Sequence, residues 1–373
     1  MLPDPGIYLH FPWCVRKCPY CDFNSHPLKQ DTDKDHYVAM LGRDLASQKH
    51  FVQDADFASV FLGGGTPSLF SPADMAPILE QLPLQAAAEV TMEANPGTAE
   101  HADFSGYRSV SINRLSIGAQ SFNNEHLQAL GRIHDADETM RAFDQARRGG
   151  FDNINVDLMW GLPGQSVEQA MADLATAIAL SPEHISWYQL TIEPRTEFAR
   201  RQPLLPVEET LYAIEQQGLA ALQRAGYQRY EVSAFARPGK QCQHNLNYWR
   251  FGDYMGIGAG AHGKITTRQT ILRTSKARQP RLYQQDPEQI QVSPVAGEDL
   301  PVEFAMNALR LIDGVPFEHA TTATRLPWSR FSTTWAALQK KGLVRDDRCA
   351  TTPLGLRYLD SAVEAFLAET PET

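Results

Sequence analysis

A chain of 373 residues with 43% hydrophobic and 21% charged residues has enough apolar sequence to bury a full core, and its composition is neither that of a disordered chain nor that of a fibrous one. Its formal charge of −10 argues against nucleic acid as a partner, because neutralising phosphates requires a clustered excess of Lys and Arg. Five cysteines in so long a chain, three of them clustered, suit metal binding in a reducing compartment better than a disulfide framework. The start, MLPDPGIYLHF, lacks a basic segment leading into a long apolar core, and no run of 18 or more apolar residues occurs. The expectation is a soluble cytoplasmic protein with no transmembrane segment, whose membrane contact would be peripheral, at the inner face.

Short β-branched or apolar runs recur at GIYLHF (6–11), FASVFL (57–62), EVTME (89–93), INRLSIG (112–118), INVDLM (154–159) and HISWYQL (184–190). These predict six strands. Between them, residues 33–50, 72–81, 136–148 and 167–180 carry helical period, the last preceded by Ser166 as a cap. Such alternation gives βαβ units with right-handed crossovers and a parallel sheet, which could be a partial barrel or an open doubly wound sheet. After a further helical run at 207–225, the stretches YQRYEVSAFA and HNLNYWRFGDYMGIGAGAHG show no clear period. The Gln-, Arg- and Pro-rich segment 268–294 reads as a linker or excursion, and helical patterns follow at 301–311 and 328–341. The end, GLVRDDRCATTPLGLRYLDSAVEAFLAE, reads as two short strands and a helix, as in a winged-helix unit that serves as a packing module. Two domains are expected, 1–265 and a smaller α+β unit over 266–373.

Cys14, Cys18 and Cys21 form a C-x3-C-x2-C run directly after the first strand. Thiolates are soft ligands suited to iron–sulfur clusters, and three of them on a four-iron cube leave one iron without a protein ligand. The competing reading is a zinc knuckle, which wants four ligands and usually C-x2-C spacing. Gly63, Gly64 and Gly65 follow the second strand and let backbone amides approach a ligand carboxylate. Glu93, Gln120 and Asp157 fall on strand faces where, if buried, they need a polar ligand or one another.

The segment IYLHFPWCVRKCPYCDF resembles the radical S-adenosylmethionine (SAM) superfamily, and within it the branch of oxygen-independent coproporphyrinogen III oxidases. GGGTPS (63–68), MEANP (92–96), RLSIGAQSF (114–122), the Arg132 segment and NVDLMWGLPGQ (155–165) match that branch in order and spacing over most of residues 6–265. The resemblance implies a partial (β/α)6 TIM-like barrel with a smaller C-terminal domain. It also implies a four-iron four-sulfur (4Fe-4S) cluster on Cys14, Cys18 and Cys21. Tyr8, Tyr20, Gly64, Gly65, Thr66, Glu93, Gln120, Arg132 and Asp157 match SAM-contacting positions of the family, some for one SAM and some for a second. The family's general chemistry is reductive cleavage of SAM at the cluster.

Two departures separate this chain from the oxidases. Their cysteine motif runs on to a further cysteine where this chain has Phe23, and their N-terminal extension, which helps form the porphyrinogen site, has no counterpart ahead of the first strand. Both features match the HemW-type haem chaperone subgroup, which carries an H-N-x-x-Y-W motif, here His244 to Trp249. Membership of that subgroup implies haem as cargo, delivered to apo-haemoproteins such as membrane-bound respiratory cytochromes. His244 is then the candidate axial ligand, Cys242 a competitor, and Tyr248 and Trp249 the aromatic cover. His262, in GAGAHG, is a further histidine at the barrel mouth. The alternative function is a SAM-dependent oxidase of porphyrin biosynthesis, and the residues alone leave open whether SAM is cleaved.

Overall fold

The computed structural model describes residues 3–52, 55–99 and 104–367. The six expected strands are present as β1 (Gly6–Phe11), β2 (Phe57–Gly64), β3 (Leu84–Ala94), β4 (Arg114–Gln120), β5 (Ile154–Trp160) and β6 (His184–Gln189). Each pairs in parallel with the next. Helices Lys34–Gln48, Pro72–Leu79, Phe104–Ser109, Ala136–Arg148 and Val167–Ala179 occupy the crossovers. Their starts are fixed locally: Asp33 accepts from the His36 amide, and Ser71 with Asp74, Asp135 with Glu138, and Ser166 with Gln169 form reciprocal capping boxes. β3 begins five residues earlier than its hydrophobic run suggests, because Leu84 pairs with Phe57 of β2 ahead of an irregularity, after which the regular register resumes at Glu89.

The sheet continues beyond these six strands. β7 (Gln228–Glu231) and β8 (Ala234–Ala236) extend it past β6, while β9 (Tyr254–Ile257), β10 (His262–Thr266), β11 (Ile271–Ser275) and β12 (Gln291–Pro294) extend it past β1. Among the described residues the order is β12-β11-β10-β9-β1-β2-β3-β4-β5-β6-β8-β7, so β1 and β6 are not paired and the barrel is partial. The segment read as a linker thus holds β11, β12 and a short helix, Pro280–Gln285. It is fastened by a buried ion pair: Lys276 Nζ lies 2.6 Å from Asp44 Oδ1, with both side chains at most 1% exposed. Asp44 also accepts from Gln48, the Gly258 amide and the Tyr283 hydroxyl.

The outward faces of β1–β6 pack with the helices in one apolar cluster that includes Leu9, Leu62, Met92, Leu115, Val156 and Ile185. A second cluster gathers Phe304, Phe331, Trp335 and Leu338 from the C-terminal helices and is joined by Tyr230 and Ile271 from the sheet and by Phe251 from the turn before β9. In this region the two short strands expected near the C-terminus reduce to single bridges, Val344 with Thr351 and Val315 with Cys349. No described helix is long and apolar enough to cross a membrane.

Removing Asp44 leaves Lys276 buried without a counter-charge. Asp44→Ala is therefore expected to lower unfolding stability by about 3–5 kcal/mol in a denaturant titration, and a loss under about 1 kcal/mol would show that the pair does not fasten the excursion.

Candidate cofactor and ligand site

Strand alternation decides what faces the barrel interior. On β4, Arg114, Ser116, Gly118 and Gln120 point inward while Leu115, Ile117 and Ala119 enter the core. On β5 the inward set is Asn155, Asp157 and Met159, and on β6 it is His184, Ser186 and Tyr188. Two adjoining cavities result. One, of ≈ 310 Å³, lies at the carboxyl ends of the strands, and the other, of ≈ 730 Å³, lies deeper and opens beside β10. Gly64, Glu93, Ser116, Asp157 and Phe23 line both.

Cys14, Cys18 and Cys21 all line the smaller cavity, on the loop that leaves β1. The base of that loop is closed by a two-residue parallel ladder between Trp13–Cys14 and His26–Pro27. All three cysteines are half-buried and free of disulfides. Burial pushes the Cys14 and Cys21 thiols above their ordinary range, so a bound metal must displace their protons. The Thr66 hydroxyl donates to Cys14 Sγ at 3.4 Å, and Arg132 Nη1 donates to Cys18 Sγ at 3.8 Å. Among the described residues no three His, Cys, Asp or Glu side chains converge on a single ion. The three thiols line one cavity, and three thiolates suit a four-iron cluster with one open iron, whereas a closed zinc site takes four protein ligands.

Eight of the nine positions expected to contact SAM line this same cavity: Tyr20, Gly64, Gly65, Thr66, Glu93, Gln120, Arg132 and Asp157. Tyr8 instead lines the deeper cavity, stacked on Phe61 and bonded to His10. Gly64 has φ +114°, where a side chain is strained, and a Cβ there would collide with the His10 imidazole. Its amide donates to Glu93 Oε2 at 3.0 Å. Burial, then the neighbouring Asp157 carboxylate, raise the Glu93 pKa to about 8. Gln120 sits at φ +62° in a bulge opposite β5. Gln120 Oε1 and Arg132 Nε are buried with no hydrogen-bond partner. Such orphaned atoms are costly unless a polar ligand meets them. The cavity therefore fits a small polar cofactor beside a cluster.

Comparison with known proteins agrees with this geometry. Residues 8–177 match the Radical SAM superfamily. Over 375 residues the chain is 48% identical to the "Heme chaperone HemW" of Escherichia coli (strain K12), with 99% of each chain covered. It is 46% identical over 379 residues to the protein of that name in Haemophilus influenzae, again with 99% of each covered. The chain belongs to the HemW family. A solved structure, the Escherichia coli coproporphyrinogen III oxidase HemN, superposes with a TM-score of 0.81 at 23% identity over 97% of this chain and 90% of its own, a likeness of fold.

Of the residues that the sequence puts forward for haem, His244, Tyr248 and Trp249 line the deeper cavity and Cys242 does not. His244 is 1% exposed and both its ring nitrogens are engaged, Nδ1 with Ser59 Oγ at 3.0 Å and Nε2 with the Tyr248 hydroxyl at 2.9 Å. Cys242 is fully buried, its thiol pushed up to about 12 by burial and by Glu89, to which it donates at 3.4 Å. Each of these donor atoms is thus hydrogen-bonded within the protein. Tyr248 and Trp249 do line the cavity wall. Arg114, His184 and Asn155, which sequence reading did not single out, line it too. Their period-two spacing with Ser116, Asp157 and Ser186 was the available signal.

Below about pH 8 Glu93 is neutral in the free protein. A cationic ligand against it favours the carboxylate and expels the proton, so SAM affinity is expected to rise with pH up to about 8 and level off above. Calorimetry in buffers of different ionisation enthalpy reads the released proton, and Glu93→Gln should abolish both the release and the pH slope.

Proposed function

We propose that this protein is a haem chaperone that holds a 4Fe-4S cluster on Cys14, Cys18 and Cys21, binds SAM in the cavity beside them, and passes haem to apo-haemoproteins, membrane-bound respiratory cytochromes among them. The observation that carries this reading is the full-length match to a protein named for haem chaperoning, at 48% identity. It is supported by a ≈ 730 Å³ cavity that adjoins the cysteines and is faced with Tyr8, Phe61, Tyr248, Trp249 and Tyr254, a lining suited to a flat apolar ring system.

In this reading the nine matched residues hold SAM, with Tyr8 reaching from the deeper cavity. Thr66 and Arg132 touch the cysteine sulfurs and would donate to a cluster bound on them. Cluster and SAM together supply one-electron reduction chemistry. Arg132 also donates to the Gly118 carbonyl at 3.0 Å, which braces the cluster loop against β4. The protein works in the cytoplasm and meets membrane-bound recipients by surface contact. Phe23, 60% exposed at the junction of the two cavities, occupies the place of the oxidases' further cysteine. The chaperone reading therefore stands ahead of coproporphyrinogen III oxidation.

Cluster-loaded protein charged with haem should transfer it to an apo-cytochrome, as followed by the recipient's absorbance, while Cys14→Ala, Cys18→Ala and Cys21→Ala should each lose the cluster. Anaerobic conversion of coproporphyrinogen III at catalytic rates with SAM and reductant would overturn the reading.

A further inference from the structure

Four histidines line the ≈ 730 Å³ cavity: His10, His184, His244 and His262. Three of them are fully committed. His10 bonds to the Tyr8 hydroxyl and to the Asn24 carbonyl. His184 bonds to Asn155 Oδ1 and the Tyr230 hydroxyl, and His244 to Ser59 and Tyr248. His262 alone makes no ring hydrogen bond to any described residue. It opens β10 and is exposed at the cavity mouth. Partial enclosure of its ring, followed by the Arg278 and Arg273 charges, lowers its pKa, which favours the neutral imidazole that binds metals.

The rim around His262 is built rather than incidental. Asn24 Nδ2 donates to the carbonyls of both Ala259 and Arg278, at 3.0 and 2.9 Å, so one side chain clamps the Phe23 loop to the segments on either side of β10 and β11. A Cβ on Gly260, whose φ is +77°, would collide with that same Asn24 amide. The clamp brings to one mouth an exposed aromatic ring, Phe23, an unengaged imidazole, His262, and an exposed guanidinium, Arg278, that has no ion-pair partner among the described residues. These are the three chemistries that an iron porphyrin carrying carboxylate side chains demands: a nitrogen ligand for the metal, an apolar face, and a cation for a propionate.

We propose that His262 is the axial ligand of haem iron at the mouth of this cavity, with Arg278 pairing a propionate and Phe23 covering the ring. The assignment rests on the haem-binding reading above and locates its site.

Ferric haem is titrated into the cluster-loaded, full-length protein and into His262→Ala and Arg278→Gln variants, with absorbance and electron paramagnetic resonance as readouts. His262→Ala is expected to weaken haem binding at least about tenfold and to lose the histidine-ligated spectrum, which added imidazole restores. Arg278→Gln is expected to keep that spectrum while losing the preference for haem over its dimethyl ester, which lacks propionate charges. Unchanged spectrum and affinity in His262→Ala, with the parent protein binding haem normally, would overturn the ligand assignment alone. A parent protein that binds no haem would instead overturn the haem reading and this site with it. Retention of the cluster absorbance in both variants distinguishes a lost ligand from a misfolded chain.

Discussion

The interior of this molecule is governed by one constraint: a parallel sheet of six strands that curls without closing cannot fill its own concave face with side chains. A closed eight-stranded barrel packs its centre in layers of branched residues. Here β1 and β6 are not paired, and the inward positions of β4, β5 and β6 carry Arg114, Ser116, Gln120, Asn155, Asp157, His184 and Ser186 in place of Val or Leu. Enclosed polar groups of that kind are tolerated only where each finds a partner. Some do, as in the ladder in which Asn155 donates to Ser116 and to Asp157 while bonding His184. Others do not: Gln120 Oε1 and Arg132 Nε are orphaned where the cysteine cavity lies. Both residues line that cavity, where a polar ligand would supply the missing partners.

Much of this was legible because it is local in the chain. The cysteine loop after β1 and the Ser166 cap each depend on residues within a few positions of one another, while β2 runs two residues further than its apolar run and takes in Gly63 and Gly64. β7 to β12 were not legible. Each is three to five residues long, too short to express a period, and their placement depends on distant partners such as Asp44, 232 positions away from Lys276 along the chain and 2.6 Å from it in space. The H-N-x-x-Y-W motif is incomplete as a guide to an iron ligand for a related reason. A motif names residue types but not whether their donor atoms are already spent, and His244 spends both on Ser59 and Tyr248. The same census, applied to every histidine on the cavity, is what separates His262 from the rest.

The Cys14 and Cys21 thiols and the Glu93 carboxyl group are favoured in their proton-bearing forms by the same cause, enclosure away from water. For Cys14 and Cys21 burial outweighs the stabilising contacts from Thr66, Ser25 and the Phe23 amide. For Glu93 it outweighs the Gly64 amide, and Asp157 adds to it. A site so arranged is electrically restrained when empty and becomes charged only as cationic or metallic ligands enter. Arg132 is the exception: its guanidinium remains cationic next to Cys18 and Tyr20, and so favours negative charge at the cysteine loop.

The two cavities are not independent, because the wall between them is made of Gly64, Glu93, Ser116 and Asp157. Glu93 faces both, takes its hydrogen bond from the loop that flanks the cysteines, and feels the charge of Asp157, which is tied through Asn155 to His184 in the deeper cavity. A ligand that ionises Glu93 from one side therefore changes the field presented to the other, since a carboxylate in an enclosed, weakly screened setting acts across several ångströms. A charge on the shared wall is felt in both cavities, because the same four residues line each of them.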